Sequence, residues 1–143
     1  MKKVLYISML AFSCIAFGQK IKVKKDKVFV DDKETYHIET NDYNFILSDL
    51  KDNEIVSVLG STYEVPKTPP IYKNESPYWT KLIYKVRFLK SNKEVITDLS
   101  DKDIIKNIYK SGIFDENGTA DEAKVDLFVA KYSNEDLKIK LFK

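Results

Sequence analysis

Residues 78–90 read Tyr-Trp-Thr-Lys-Leu-Ile-Tyr-Lys-Val-Arg-Phe-Leu-Lys and carry the clearest alternation of apolar and polar side chains in the chain. A period of two is typical of a β-strand that buries one face. We predict a strand over these residues, near the centre of a sheet, and a turn at Ser91-Asn92 into a further strand at 95–97. The two faces carry Leu82, Tyr84, Val86 and Phe88 against Lys81, Lys85 and Arg87.

The residues before this stretch predict more strands of the same kind. From residue 20 to residue 39, Ile, Val and Tyr alternate with charged and polar residues. This pattern predicts three short strands separated by turns at 25–26 and 31–32, where Asp favours a turn. A fourth strand is predicted around 43–47 and a fifth at 55–63, which is rich in β-branched residues.

After these strands the apolar residues change to helical spacing. Ser100 and Asp103 form a capping pair at the start of a first helix, and Gly112 is a candidate for its C-cap. We expect a second helix to begin at Thr119 or the next residue, with Thr119 and Glu122 as its capping box.

The order of the predicted elements indicates the fold class. A run of strands followed by helices is typical of α+β domains. We expect an antiparallel sheet of about six to eight strands, with two C-terminal helices packed on one face or end. The tail, residues 136–143, alternates again and predicts a last strand or an extended arm on the sheet.

The first 18 residues have the layout of a cleavable signal peptide. Two lysines follow Met1, and the apolar run that reaches Phe17 is too short to span a membrane. Small residues before Gln19 place cleavage after Gly18, which leaves residues 19–143 as one domain. We therefore expect an exported protein, periplasmic or secreted, with no transmembrane segment in its mature form.

A lipid attached at Cys14 is the alternative reading of this segment. The bulky Phe12 stands where lipoprotein signals usually have a small residue, and the apolar run continues beyond the cysteine. A cysteine in such a run is more often a small hydrophobic residue. The cleavable, unanchored reading is therefore favoured.

Charge and cysteine content exclude several classes of function. Cleavage removes two of the 24 basic residues and none of the 22 acidic ones, so the mature domain is formally neutral, which disfavours nucleic acid as a partner. It also removes the one cysteine, and with it any disulfide or thiol nucleophile. We expect no cofactor and no metal, since Gly118 and Asp126 do not fit the EF-hand positions in an acidic segment that starts at Asp115. The chain is expected to be monomeric or weakly associating.

All four prolines fall within residues 64–77, which we predict to be a loop. Tyr72, Tyr78 and Trp79 lie on this loop or just after it. Large rings with a polar tip beside an irregular segment are common where proteins bind peptides or sugars. We therefore predict a binding surface over residues 64–79, contacted by a protein or an envelope polymer.

His37 is the only histidine, and it is predicted on a strand face opposite Tyr36 and Ile38. A histidine base needs a serine nucleophile and an orienting carboxylate, and no G-x-S-x-G motif is present. We assign no catalytic residue and expect a non-enzymatic binding or envelope-associated module. The alternatives are a small periplasmic hydrolase that uses His37 with carboxylates, and an inhibitor acting through residues 64–79.

Two structural features are expected to separate these functions. A hydrolase predicts a concave pocket that contains His37 and at least one carboxylate. A binding module predicts an exposed Trp79 or Tyr72 and no such pocket.

The signal peptide followed by Gln19, the opening KVKKDKVFVDDKE at 22–34, and the pair of predicted helices with Gly112 and Asn117-Gly118 between them resemble uncharacterised small exported proteins of Bacteroidetes-type Gram-negative bacteria. The resemblance implies a periplasmic or surface location. It carries over no catalytic residue.

Overall fold

The computed structural model describes residues 19–137, in which seven strands form one antiparallel sheet. Each strand pairs with the next one along the chain, so the spatial order is the sequence order. Two helices follow the strands, which confirms the predicted α+β class with six to eight strands. The strands are β1 (Ile21–Lys24), β2 (Lys27–Val30), β3 (Lys33–Asn41), β4 (Asn44–Ser48), β5 (Glu54–Pro66), β6 (Tyr78–Phe88) and β7 (Lys93–Thr97).

Short turns between the strands contain residues with left-handed backbone. Asp and Asn adopt a positive φ more readily than other non-glycine residues, because their short polar side chains bond locally. The predicted turns at 25–26 and 31–32 are confirmed. The non-glycine residues with positive φ in the described chain are Lys25, Asp31, Asp32, Asp42, Asp52 and Asn92.

The alternation of side chains puts one face of the sheet in the hydrophobic core. Val86 is buried between Val58 on β5 and Val95 on β7, while its neighbour Arg87 is exposed. The same face continues to Leu47 on β4. Both helices pack on this face, and the helical segment contributes Ile104, Ile105, Ile108, Ile113, Val125 and Phe128 to the core.

The helix α1 spans Asp101–Lys110 and begins as the sequence predicts. The hydroxyl of Ser100 accepts a hydrogen bond from the backbone N–H of Asp103 and donates one to its carboxylate. Gly112 follows the helix with a φ of +60°, which suits a residue that ends a helix.

The helix α2 spans Glu122–Tyr132 and begins later than predicted. Asp121 is the N-cap, and its carboxylate accepts bonds from the N–H groups of Ala123 and Lys124. The start predicted at Thr119 is wrong, because Thr119 accepts a backbone bond from Asp115 and the next residue forms a β-bridge with Phe114.

Phe88 of β6 joins the sheet to the helical layer. Its ring lies 5.4 Å from the ring of Phe128 in α2, almost perpendicular to it, and 6.3 Å from that of Phe114. Edge-to-face ring pairs add about 0.5–1.5 kcal/mol to the stability that burial gives. This cluster packs α2 and the segment before it against β6.

Two sequence predictions about the sheet are wrong. β6 is the penultimate strand and not a central one. It is nevertheless covered on both faces, because Ile83 and Ile96 pack with Leu137 on the face opposite the core that α1 and α2 cover. Residues 135–137 are helical, so the strand predicted from residue 136 is wrong at its first two residues, and its remainder lies outside the described residues.

The proline-rich loop is shorter than predicted. β5 continues to Pro66, which pairs with Tyr78 at the start of β6. The loop therefore covers residues 67–77 and not 64–77. The reason is cross-strand pairing, which extends a strand beyond the point where its own sequence pattern stops indicating one.

The predicted signal peptide, residues 1–18, lies outside the described residues together with Cys14. Export therefore stays a prediction. Within residues 19–137, no helix has both the length and the apolar character needed to cross a membrane.

We expect Leu47→Ala to lower the free energy of unfolding by about 2–5 kcal/mol, because Leu47 is fully buried and the substitution leaves a cavity. Leu127→Ala is the matched control, since Leu127 is 70% exposed on α2 and should change stability by less than about 0.5 kcal/mol. Urea denaturation measures both. Equal losses in the two variants would contradict this placement of the core.

Candidate functional site

The outer parts of β5 and β6 form a two-stranded arm, which we call the β5–β6 arm and define as residues 61–83. β4 pairs with β5 only as far as Val58, and β7 pairs with β6 only as far as Tyr84. Beyond these points β5 and β6 pair only with each other within the described chain. No residue from 61 to 81 is buried. The arm therefore projects from the body of the domain.

The three predicted binding residues all lie exposed on this arm. Tyr72 is 72% exposed in the 67–77 loop, and Trp79 is 58% exposed on β6. Tyr78 is exposed as well, but as the neighbour of Trp79 it points to the opposite face of the strand pair. The structure thus places the three rings on one arm without placing them on one face.

Lys67 contacts the indole of Trp79. Its ammonium nitrogen lies 4.3 Å from the ring centroid, a cation–π distance, and 3.9 Å from a carboxylate oxygen of Glu75. No local pattern signals this contact, because the pairing of β5 with β6, with Val65 opposite Trp79, is what brings Lys67 to the indole.

Hydrogen bonds tie the base of the 67–77 loop. The N–H of Lys67 donates to the carbonyl of Pro77 at 2.9 Å, and the N–H of Glu75 donates to the carbonyl of Tyr72 at 3.0 Å. The hydroxyl of Ser76 bonds the backbone of Tyr78 on the same side. The loop therefore has internal partners of its own in addition to the strand pair beneath it.

His37 lies between two carboxylates. Its Nδ1 is 2.5 Å from Asp52 and its Nε2 is 2.9 Å from Glu34. A neutral imidazole has one N–H, so contact with both carboxylates favours the doubly protonated ring. The bond from Asp52 and then that from Glu34 raise the pKa of His37, and the bond from His37 lowers the pKa of Glu34.

A concave region of about 400 Å³ surrounds this histidine. Ser48 of β4 pairs with His37 across the strands and lines the same region. The concave region expected of a hydrolase is therefore present. Of the two features expected of a binding module, the exposed Trp79 is confirmed, and the absence of a pocket at His37 is wrong, because Asp52 and Glu54 flank this histidine. The lining residues are Asp26, Lys27, His37, Ile38, Glu39, Ser48, Asp52 and Glu54.

The bond at Nε2 decides the chemistry of this region. In a Ser-His-Asp arrangement, the carboxylate bonds Nδ1 and the serine bonds Nε2, which must be free to accept the hydroxyl proton. Asp52 matches the first requirement, but Glu34 takes the position that Ser48 would need. A ring that donates to a carboxylate from each nitrogen has no nitrogen free to accept a proton, and the two contacts tie β3 to the turn before β5.

Asp49 organises the turn that carries Asp52. One carboxylate oxygen accepts the N–H groups of Lys51 and Asn53, each at 2.9 Å, and the other accepts the side-chain amide of Asn53. Burial raises the pKa of Asp49, but the bonds from Asn53 and Lys51 outweigh burial and leave it lowered. Gly118 packs directly against this carboxylate.

The acidic segment that superficially resembles a calcium loop is a turn. The carboxylate of Asp115 accepts the N–H groups of Asn117 and Thr119, and the chain then passes to the cap of α2 at Asp121. Within residues 19–137, no group of three or more His, Cys, Asp or Glu is arranged to hold a metal ion.

Comparisons with protein-family models, with curated proteins and with solved structures found no match for this chain. The resemblance to exported proteins of Bacteroidetes-type bacteria stays a prediction. Function is therefore inferred from the chain's own residues.

Two glycine substitutions separate backbone strain from the packing against Asp49. Gly112→Ala should cost about 1 kcal/mol of stability through its positive φ alone, since the nearest atom to the new Cβ is Lys124 Nζ at 3.5 Å, an ordinary contact distance. Gly118→Ala adds a Cβ 2.4 Å from Asp49 Oδ2, so we expect a loss larger by at least about 1 kcal/mol. Urea denaturation measures both, and equal losses would argue against the contact.

The His37 contacts should make stability depend on pH. Because the folded-state pKa of His37 is raised above 6.5, its pairing stabilises the fold below pH 6.5 and is lost as the pH rises through the folded-state value. The stability gap between the wild type and His37→Gln should therefore be larger at about pH 6 than at about pH 9. Urea denaturation at both pH values tests this.

The control for this measurement is Glu39→Gln, on the same strand and lining the same concave region. Its stability gap to the wild type should be the same at both pH values, because Glu39 bonds neither ring nitrogen of His37. A gap for His37→Gln that is equally flat would refute the doubly bonded imidazolium.

Proposed function

We propose that the chain is an exported, non-enzymatic binding module that contacts a protein or an envelope polymer through the β5–β6 arm. The observation that supports this most strongly is the exposure of Trp79, Tyr78 and Tyr72 on an arm in which no residue from 61 to 81 is buried. Core packing does not require these rings. Their placement is that of residues available to a partner.

The energetics of aromatic burial favour this role. A Trp or Tyr side chain buries about 150–250 Å² in a contact, worth roughly 4–6 kcal/mol before the cost of ordering is subtracted. Lys67 over the indole restricts the rotamers of Trp79 before binding, which lowers that cost. Trp and Tyr are also the residue types that most often dominate protein interfaces.

An inhibitor that inserts the 67–77 loop into a target enzyme is a special case of this function. The projecting arm and the hydrogen bonds at the base of the loop support it. Rapid proteolytic cleavage within residues 67–77 of the free protein would count against the inhibitor. The binding role of the arm would remain.

A small hydrolase is the second candidate, and the concave region around His37 with Asp52 and Ser48 favours it. The occupation of Nε2 by Glu34 is the stronger observation against it. If neither the wild type nor Glu34→Gln hydrolyses ester substrates, the result fits the binding module. Esterase activity that Ser48→Ala abolishes would instead support the hydrolase.

We expect Trp79→Ala to reduce partner capture at least about tenfold, because truncating a buried interface Trp costs 2 kcal/mol or more. The measurement is a quantitative crosslinking pull-down with the mature protein from its own cell envelope. Leu127→Ala, which removes an exposed side chain from α2 far along the chain from the arm, should capture as the wild type does. Unfolding by urea verifies that both variants are folded.

Undiminished capture by Trp79→Ala and also by Tyr72→Ala would refute a binding role for the arm. Loss of capture in Leu127→Ala alone would move the contact surface to the helices.

A further inference from the structure

The hydrogen bonds between β5 and β6 reveal which way each backbone group on the arm points. The N–H of Lys67 bonds the carbonyl of Pro77 at one end of the strand pair, and the N–H of Leu89 bonds the carbonyl of Ile55 at the other. Both pairs join odd-numbered residues. In an antiparallel pair the bonding positions alternate, so odd-numbered residues bond across the pair and even-numbered residues point their N–H and C=O outward.

Most of the outward groups of β6 have partners. Tyr84 and the even-numbered residues after it face β7. Tyr78 bonds the hydroxyl of Ser76 through both its N–H and its C=O. Thr80 and Leu82 remain, and their outward groups have no partner within residues 19–137.

Within residues 19–137, no strand pairs with β6 at Thr80 and Leu82 on the side away from β5. The space on that side lies in line with β7, which ends at Thr97 opposite Tyr84, after which the chain leaves the sheet and enters α1. We call this space the β6 lane. A strand placed in it would extend the row that β7 begins.

The opposite edge of the arm, on β5, lacks a free N–H at each of its two ends. The N–H of Gly60 already donates to the side chain of Asn44. Tyr43 lies so close that a Cβ added at Gly60 would be 2.5 Å from the Cβ of Tyr43. At the other end Pro66 has no N–H to donate. Thr62 and Glu64 also point outward from β5, and we favour the β6 lane over that edge because the exposed Trp79 lies beside it on β6.

We propose that the β6 lane takes an extended peptide segment of a protein partner, which adds to β6 as a further strand. This rests on the proposed function, since it assigns the partner class of the same arm. Free backbone donors and acceptors in a row are matched by another extended chain, and side chains flanking the edge supply selectivity.

The flanking side chains specify the peptide. Trp79 and Lys81 border the lane on the face away from the helices, and Lys81 is exposed. Thr80 and Leu82 border it on the other face, where Leu82 is half-buried. The matching segment therefore alternates, with an acidic residue facing Lys81, an apolar residue that packs on Trp79, and β-branched or apolar residues on the face of Leu82.

The test selects peptides of about twelve residues from a displayed random library on the mature protein; at about 3.3 Å per residue this length exceeds the lane. Selected peptides are synthesised, and their dissociation constants are measured by fluorescence anisotropy. Thr80→Pro removes the outward N–H at an edge position where proline is tolerated, and Thr80→Val keeps it. We expect Thr80→Pro to weaken binding at least about tenfold and Thr80→Val less than about twofold.

A second measurement avoids any effect of proline on folding. In the wild type, NMR should find that bound peptide slows amide exchange at Thr80 and Leu82 at least about tenfold. Thr62 and Glu64, whose groups point outward from β5, are the internal control and should not change.

The outcomes distinguish the two proposals. One outcome is that the selected peptides need Trp79 but bind Thr80→Pro as tightly as the wild type and do not slow amide exchange at Thr80 and Leu82. This outcome overturns strand addition and retains the binding role of the arm. A library that yields no peptide dependent on Trp79 overturns strand addition as well. Protection of Thr62 and Glu64 instead would place the strand on the wrong edge and refute the β6 lane.

Discussion

The pairing of β5 with β6 is the constraint on which the rest of the structure depends. All eleven residues of β6 pair with β5, from Phe88 opposite Val56 to Tyr78 opposite Pro66. The inner half buries its apolar face under the helices, and Phe88 contacts α2 there. The outer half continues with the same register into solvent. One strand pair therefore anchors the core and projects the exposed aromatic residues.

Anchoring at the inner half is what makes an exposed arm feasible. A two-stranded hairpin alone in water is only marginally stable. Here the buried half holds the register, since a slip of one residue would carry Val86 and Phe88 out of the core. The outer half can then present Trp79 on one face and Tyr78 on the other without contributing buried residues of its own. Stability and recognition are thus separated along a single element.

The His37 cluster illustrates how a chemically suggestive group can be structural. His37 and Ser48 face each other on neighbouring strands, and the turn after β4 brings Asp52 to Nδ1. Glu34 at Nε2 completes a histidine bonded on both sides, which links the start of β3 with the turn before β5. Protonation strengthens these bonds and removes the basic nitrogen that catalysis would need. The exposed arm is the better supported functional surface for this reason.

The sequence by itself determined which segments form strands and which form helices, the α+β class and the N-cap of α1. Each of these depends on neighbours within a few residues. Alternation predicts strands, and Ser100 with Asp103 marks a helix start, from local geometry alone. Only the tertiary structure decided the position of β6 in the sheet, the extension of β5 to Pro66, and the partners of His37. These depend on cross-strand register, which joins residues far apart in sequence by hydrogen bonds that no local pattern encodes.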